Sequence, residues 1–330
     1  MVTRSHLAVP IALVFVAFAA WGQPPAGRPP HIGYLYPAGA QQGSVVQITA
    51  GGQALAGAKD VYISGDGVVG LVIQYARPLN NQQLKTLGMK LKARRAQLDG
   101  KGAPLTAGTP PPSSNAATPT TTKEQFVPLP NHPWIQNIDT MTLEDLQRVA
   151  SLFLDKKKQP NVQIGEMVFI EVTVDPAAAL GTRDFRVATA AGLTNPIHFE
   201  IGALPETRER EPNDPRPFVA ATPGTGIELP ALLNGQIMPG DIDRFDFRAR
   251  QGQHIVANMR ARQLVPYLAD AVPGWFQAAI TLYDGNGREV AYTDDDRFDP
   301  DPVLEYTIPA DGGYTLEIRD ALYRGREDFV

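Results

Sequence analysis

The feature that most constrains this chain is a repeated alternation of apolar and polar residues over short runs, each closed by glycine, proline or aspartate. In extended backbone neighbouring side chains point to opposite faces, so period-two alternation makes a strand with one buried face. Such runs stand at Ser44–Thr49, Val61–Ser64, Val68–Tyr75, Met167–Val174, Thr182–Ala188 and Ile197–Ile201. They resume at Leu232–Ile237, Arg244–Ala249, His254–Arg260, Gln277–Tyr283, Glu289–Thr293, Leu304–Ile308 and Tyr314–Arg319. Short strands at regular spacing with turn signals predict a sandwich or jelly roll. The 30 glycines and 30 prolines supply the turns and argue against a mostly helical protein. With 330 residues there is room for about two domains. The fold class expected is mainly β: two β-sandwich domains, with a helical hairpin inserted in the first.

That insertion is the one break in the pattern. Leu84, Leu87, Leu91 and Leu98 fall at helical spacing, with Lys85, Lys90, Lys92, Arg94 and Arg95 around them. A basic helix face can meet an acidic polymer or lipid headgroups, or simply be solvated. A second helix is predicted over Thr142–Lys157. Thr142 is its N-cap, with Asp145 three residues on in a variant of the capping box. Leu143, Leu146, Val149, Ala150, Phe153 and Leu154 form its apolar stripe, and Lys156, Lys157 and Lys158 suit its C-terminal dipole. Between the helices, Asp99–Thr122 is rich in Gly, Pro, Ser, Thr and Ala and is expected to be disordered. The insertion, about 78–160, interrupts a domain running over 31–203. The alternative is two independent pieces, but a sandwich needs about seven strands and neither half has them.

Arg4 followed by the apolar run Leu7–Ala20 reads as an export signal, too short to span a bilayer comfortably. Ala17-Phe18-Ala19 and Ala20-Trp21-Gly22 are possible cleavage sites, and cleavage after the second would remove residues 1–22 and leave a Pro/Gly-rich linker at 23–30. An uncleaved N-terminal anchor is the other reading. No other stretch is a transmembrane candidate, so a secreted, extracellular or envelope location is expected, with no membrane span after cleavage. The absence of cysteine excludes disulfides, thiol catalysis, zinc–thiolate sites and a lipoprotein anchor. A net charge of −5 and a pI near 5.6 give no reason to expect nucleic acid as a partner.

Motifs for catalysis are missing. The five histidines, His6, His31, His132, His198 and His254, are scattered, and neither HExxH, G-x-S-x-G nor a P-loop occurs. Gly65-Asp66-Gly67-Val68-Val69-Gly70 is formally GxGxxG, but it leads into a β-branched run instead of the helix a nucleotide needs, and it reads as a hairpin turn. Paired carboxylates acting through space are not excluded by spacing. Asp284-Gly285-Asn286-Gly287 and Asp311-Gly312-Gly313 are two further hairpin signals.

The stretch with the most chemistry is Glu209-Arg210-Glu211-Pro212-Asn213-Asp214. Glu209, Glu211 and Asn213 alternate, and Pro212 biases Glu211 towards extended backbone, so the three project to one face beside Asp214. Oxygen ligands so arranged suit a hard cation such as Ca2+, which takes ~6–8 of them. About thirty residues on, Gly240-Asp241-Ile242-Asp243 carries two more carboxylates into a strand. An acidic linker, with Asp243 capping a turn, would use the same residues. A second acidic run, Asp294, Asp295, Asp296, Asp299 and Asp301, lacks an EF-hand frame and reads as a solvated turn.

Two resemblances follow. Tyr36-Pro37-Ala38-Gly39, Gly43–Ile48 and Gly52-Gln53-Ala54-Leu55 resemble the opening of an IPT/TIG-type immunoglobulin-like domain, and Gly181–Gly202 resembles its closing strands. Over 206–330, "EREPND", "LLNGQIMPGDIDRFDFRARQGQHIV", "ITLYDGNGREVAYTDDD" and "PADGGYTLEIRD" resemble the bacterial pre-peptidase C-terminal domain, a sandwich similar to the collagen-binding domain of clostridial collagenases. The arrangement as a whole resembles large secreted proteins of planctomycete-type bacteria. The resemblance implies a jelly-roll-like second domain over 204–330. It also implies a calcium site at Glu209, Glu211, Asn213, Asp214, Asp241 and Asp243, with Glu211 bridging if two ions bind. Exposed aromatics carry collagen binding in those relatives, but Tyr267, Trp275 and Tyr292 match none of them, so that activity is not carried over. Relatives continue Gly325–Val330 as a last strand, so the domain reads as truncated, with an unpaired edge. The function expected is a secreted, non-catalytic binding or accessory protein that recognises an extracellular protein or polysaccharide. The alternatives are the accessory region of a larger secreted peptidase or other hydrolase, and a structural spacer of the envelope.

Overall fold

The computed structural model describes residues 28–100, 127–155, 161, 163–209, 226–265 and 275–330. The expected signal peptide, most of the Asp99–Thr122 segment, Lys156–Lys158 and Tyr267 lie outside them. Strands β1 (His31–Tyr36), β2 (Gly39–Gln41), β3 (Val45–Gln53), β4 (Asp60–Ile63) and β5 (Val68–Ala76) come first. Helices α1 (Asn81–Leu98) and α2 (Leu143–Leu154) follow, then β6 (Glu166–Val174), β7 (Gly181–Thr189), β8 (Gly192–Leu193) and β9 (Ile197–Gly202). The chain continues as β10 (Glu206–Arg208), β11 (Leu232–Asn234), β12 (Asp243–Ala249), β13 (His254–Asn258), β14 (Ala278–Asp284), β15 (Glu289–Thr293), β16 (Val303–Thr307) and β17 (Gly312–Asp320). The described chain is mainly β.

Strands from before and after the helices share two sheets, ordered β1-β3-β6-β5 and β2-β9-β7-β4. β6 lies between β3 and β5, antiparallel to both. Its alternation does the work: Val168, Ile170, Val172 and Val174 are buried, while Thr173 on the other face is exposed. They pack with Leu35, Ile48, Phe185 and Phe199 in one core, where the two phenylalanine rings lie 5.9 Å apart. Each such large side chain contributes about 1.5–3 kcal/mol through its burial.

The Gly65–Gly67 segment corrects the hairpin expectation. Both glycines take positive φ, at 79° and 80°, which glycine adopts without a Cβ clash. But β4 pairs with β7 and β5 with β6, so the turn carries the chain from one sheet to the other. Asp311-Gly312-Gly313 behaves likewise, because β16 pairs with β13 while β17 pairs with β12 and β14. Asp284–Gly287 does close a hairpin, joining β14 to β15.

Both helices are capped by their own side chains. Asn80 and Gln83 form a capping box at α1, and Thr142 and Asp145 form one at α2. Leu87 and Leu91 of α1 meet Leu146 and Val149 of α2, with Ile135 and Ile138, in a separate small core. Leu98, expected on that stripe, is exposed.

In the C-terminal part, β12-β17-β14-β15 form one sheet and β13-β16 a second. Phe245, Phe247, Trp275, Ile280, Leu282, Leu304, Leu316 and Phe329 fill its core. Trp275 is therefore a core residue. The last residues form no open strand. Arg326 N–H donates to the Ile237 carbonyl and Ile237 N–H to that of Phe329, whose ring stacks on Phe276 at 5.0 Å. Asp301 also departs from a solvated turn. It is buried, and its carboxylate accepts from the N–H groups of Ala261, Arg262 and Gln263.

Candidate functional site

The acidic arm begins where the two sandwiches meet. β10 pairs in parallel with β11, and Glu209 N–H extends that ladder by donating to the Asn234 carbonyl. Arg208 fixes the arm to the first sandwich by donating from Nη2 to the Gln47 carbonyl at 2.7 Å. Glu209 Oε1 then accepts from the Tyr36 hydroxyl at 2.9 Å and from Gln236 N–H at 2.8 Å. Tyr36 ends β1, so one carboxylate oxygen ties β1 of the first sandwich to the segment after β11.

Asp243 and Asp241 join Glu209 there. Both are about 1% exposed. Asp241 closes its own turn, Oδ2 accepting from Met238 N–H at 3.2 Å and Oδ1 from Ile242 N–H at 3.1 Å. Asp243 opens β12 on its inward face, and its carboxylate lies over Gly235, where an added Cβ would stand 2.0 Å from Oδ2. A side chain at position 235 would fill the space this carboxylate occupies. Burial holds the Glu209 carboxyl well above the usual carboxylate range, reinforced by its hydrogen bond with Asp243 and by the negative charge of Asp243 and Asp241. The Tyr36 hydroxyl is pushed up by burial and then by Glu209.

The same seam holds two more acids. Glu206 is raised by burial. It receives one hydrogen bond, from Asn234 Nδ2 to Oε2, while its buried Oε1 has no partner. Glu327 is raised by burial too, although its Oε1 accepts from Asn161 N–H. The Glu327 carbonyl accepts from the Gln236 side chain. Arg260 pairs with Glu200 across the seam at 3.3 Å.

Of the six residues expected to hold calcium, the structure brings Glu209, Asp241 and Asp243 together. Glu211, Asn213 and Asp214 lie outside the described residues. Among the described residues, no group of three or more acids or histidines has the geometry to hold a metal ion. Carboxylate oxygens are the donors a hard cation takes, and the hydrogen bond between the Glu209 carboxyl and Asp243 brings two such groups together. Tyr36, Gln236, Glu206 and Glu327 were not legible as site residues. Glu209 lies 173 positions from Tyr36, and no local pattern marks such a partner.

Three of the described histidines have structural surroundings. His132 is buried and accepts from Trp134 N–H. His198 meets the Gln263 carbonyl, and His254 lies beside Thr307 and Glu305 on an exposed strand. Among the described residues no helix is long and apolar enough to cross a membrane.

No family model matches the chain. Over 111 residues, 33% of its length, it is 35% identical to a protein of Deinococcus radiodurans named a probable subtilase-type serine protease. The matched stretch covers 14% of that protein. The solved structure of the secreted serine protease VesC from Vibrio cholerae aligns over 88% of this chain and 46% of its own, at 6% identity and a TM-score of 0.19, too low to carry an argument. The chain is thus a mainly β protein, a third of which is similar to a small part of a subtilase-type protease.

Proposed function

We propose that this chain is an extracellular, non-catalytic accessory region of a secreted peptidase, in which a calcium ion fixes the arm between two β-sandwiches. The observation that carries this reading is the 111-residue likeness to 14% of a probable subtilase-type protease. A shared segment that short, in a chain without nucleophile motifs, is better read as a module the two proteins have in common than as a shared catalytic machine. The pre-peptidase C-terminal resemblance of residues 206–330 points the same way. Its role is to bind an extracellular protein or polysaccharide through rigid sheets.

Calcium would be held by Glu209, Asp241 and Asp243, with Glu211, Asn213 and Asp214 completing the set. Its charge would replace the proton that the raised Glu209 carboxyl keeps. Because Glu209 is bonded to Tyr36, the ion would also set the orientation of the sandwiches. Binding that favours the ordered arm stabilises the folded chain by RT ln(1 + [L]/Kd), about 2.7 kcal/mol at a hundredfold excess over Kd.

The test is thermal unfolding of residues 23–330 in EDTA and in millimolar calcium, for the native sequence and Glu211→Ala. A calcium-dependent rise in Tm that the variant lacks is expected, and no rise in either would remove calcium from the proposal. Incubation with casein addresses the other half. No hydrolysis is expected, and cleavage blocked by a serine-directed inhibitor would overturn the accessory role.

A further inference from the structure

The outer face of sheet β12-β17-β14-β15 carries an aromatic array that the arm does not use. Its register sets Arg244 beside Glu317, Glu317 beside Thr281 and Thr281 beside Tyr292, one row across four strands. The next row towards the strand ends places Arg319 beside Ala279. Ala279 is fully buried in that row. The Arg319 guanidinium lies 4.5 Å from the Tyr323 ring centroid and 6.0 Å from that of Tyr292. Both rings remain open to solvent, at 44% exposure for Tyr292 and 59% for Tyr323.

The position of Tyr323 is built. Its φ is +54°, a left-handed conformation uncommon for a bulky side chain. The turn is held from beneath by Asp320, fully buried, which accepts from the N–H groups of Leu322 and Arg324 and from the Arg324 side chain, while Tyr323 N–H donates to the Asp320 carbonyl. Asn or Gly would relieve that backbone. A tyrosine there presents a ring at the price of local strain, a pattern that marks functional surfaces.

We propose that Tyr292, Arg319 and Tyr323 form a platform for a neutral polysaccharide. Charges on this face are mixed in sign: Arg244, Arg248 and Arg319 stand with Asp246, Glu289 and Glu317. Glu317 pairs with Arg244 at 2.6 Å, Asp246 accepts from Thr315, and the Tyr292 hydroxyl donates to Asp294. Arg319 stands between two rings. A face so balanced has no net field to attract a polyanion. The slot between the rings, which a proline-rich peptide would need, is filled by the guanidinium. What remains open is the solvent side of two tyrosine rings, with the Arg319 guanidinium, which also donates from Nη1 to the Asp320 carbonyl, between them. That arrangement suits sugar rings, whose C–H faces stack on aromatics while their hydroxyls accept hydrogen bonds. The inference is independent of the arm and of any peptidase.

Calorimetric titration of the full chain with cellohexaose, xylohexaose and chitohexaose tests it, with polygalacturonate and a (Gly-Pro-Pro) triple-helical peptide as comparisons. Tyr292→Thr keeps a strand-forming residue and Tyr323→Asn suits the left-handed turn, so both variants should fold with an unchanged Tm. The expected result is binding of at least one neutral hexasaccharide, in EDTA as in calcium, weakened at least tenfold by each variant. Absence of binding to all three sugars, or binding that both variants leave intact, overturns the proposal. Binding of the polyanion or the peptide alone through these tyrosines overturns the neutral-sugar assignment.

Discussion

His132 shows how far burial sets the behaviour of a single residue. Its ring is enclosed by Trp134, Phe153 and Phe169, with centroids 5.3 to 5.6 Å away. Nδ1 accepts from Trp134 N–H, which leaves the proton on Nε2, buried without an oxygen partner. Burial lowers its pKa to about 4. The unfolded chain therefore takes up a proton near pH 6.5 that the folded chain refuses. Stability present above pH 6.5 is lost as pH falls through 4, by about 3 kcal/mol. Urea unfolding of the native chain against His132→Asn, which can still cap Trp134 N–H, should show the two converging as pH drops from 7 to 4. A constant gap would refute it. Gly235 offers a second test at this scale. Gly235→Ala places a Cβ where Asp243 Oδ2 lies, so it should displace that carboxylate and remove most of any calcium-dependent rise in Tm. Retention of the full rise would exclude Asp243 as a ligand.

Among the elements, the β12-β17 pair carries a buried charge on its outer face. Glu317 is buried beneath Arg244, Tyr283 and Thr281, and its carboxylate accepts from Arg244 Nε and Nη2. Removing one partner of such a pair costs more than removing both, because the remaining charge loses its compensation. Arg244→Ala is expected to destabilise the chain by about 2–4 kcal/mol, and the double variant with Glu317→Gln by less than half of that. Additive losses in a double-mutant cycle would show that the pair contributes nothing as a pair. The strands and helices themselves were largely legible, because alternation and capping are local. Thr142 with Asp145 caps α2 where the sequence places it, and Met167–Val174 reproduces the alternation of β6 within a residue. Turn connectivity was not. The Gly65–Gly67 residues fix a backbone angle but not the sheet the next strand joins, which depends on whether β6 or β4 offers β5 an open edge.

On the scale of the whole molecule, acids converge between the two sandwiches. Glu206, Glu209 and Glu327 are all held above the ordinary carboxylate range by burial. The folded chain keeps protons there that the unfolded chain releases near pH 4.5, so in the absence of metal its stability falls as pH rises above that value. In a His132→Asn background, which removes the opposing histidine contribution, the urea midpoint in EDTA should drop between pH 5 and 8. Calcium should flatten that slope by displacing the proton from Glu209. A flat profile in EDTA would mean that the seam is not under electrostatic strain. The sequence by itself determined the class of this protein, because period-two alternation, turn residues and caps act over a few neighbours and suffice to specify strands and helices. It also marked Glu209, Asp241 and Asp243 as chemically notable. Tertiary structure alone decided that these three meet, that Tyr36 and Gln236 hold Glu209, and that Tyr292, Arg319 and Tyr323 share one face. Those contacts join residues far apart in the chain, and their energies exist only once packing has excluded water and brought the strands into register.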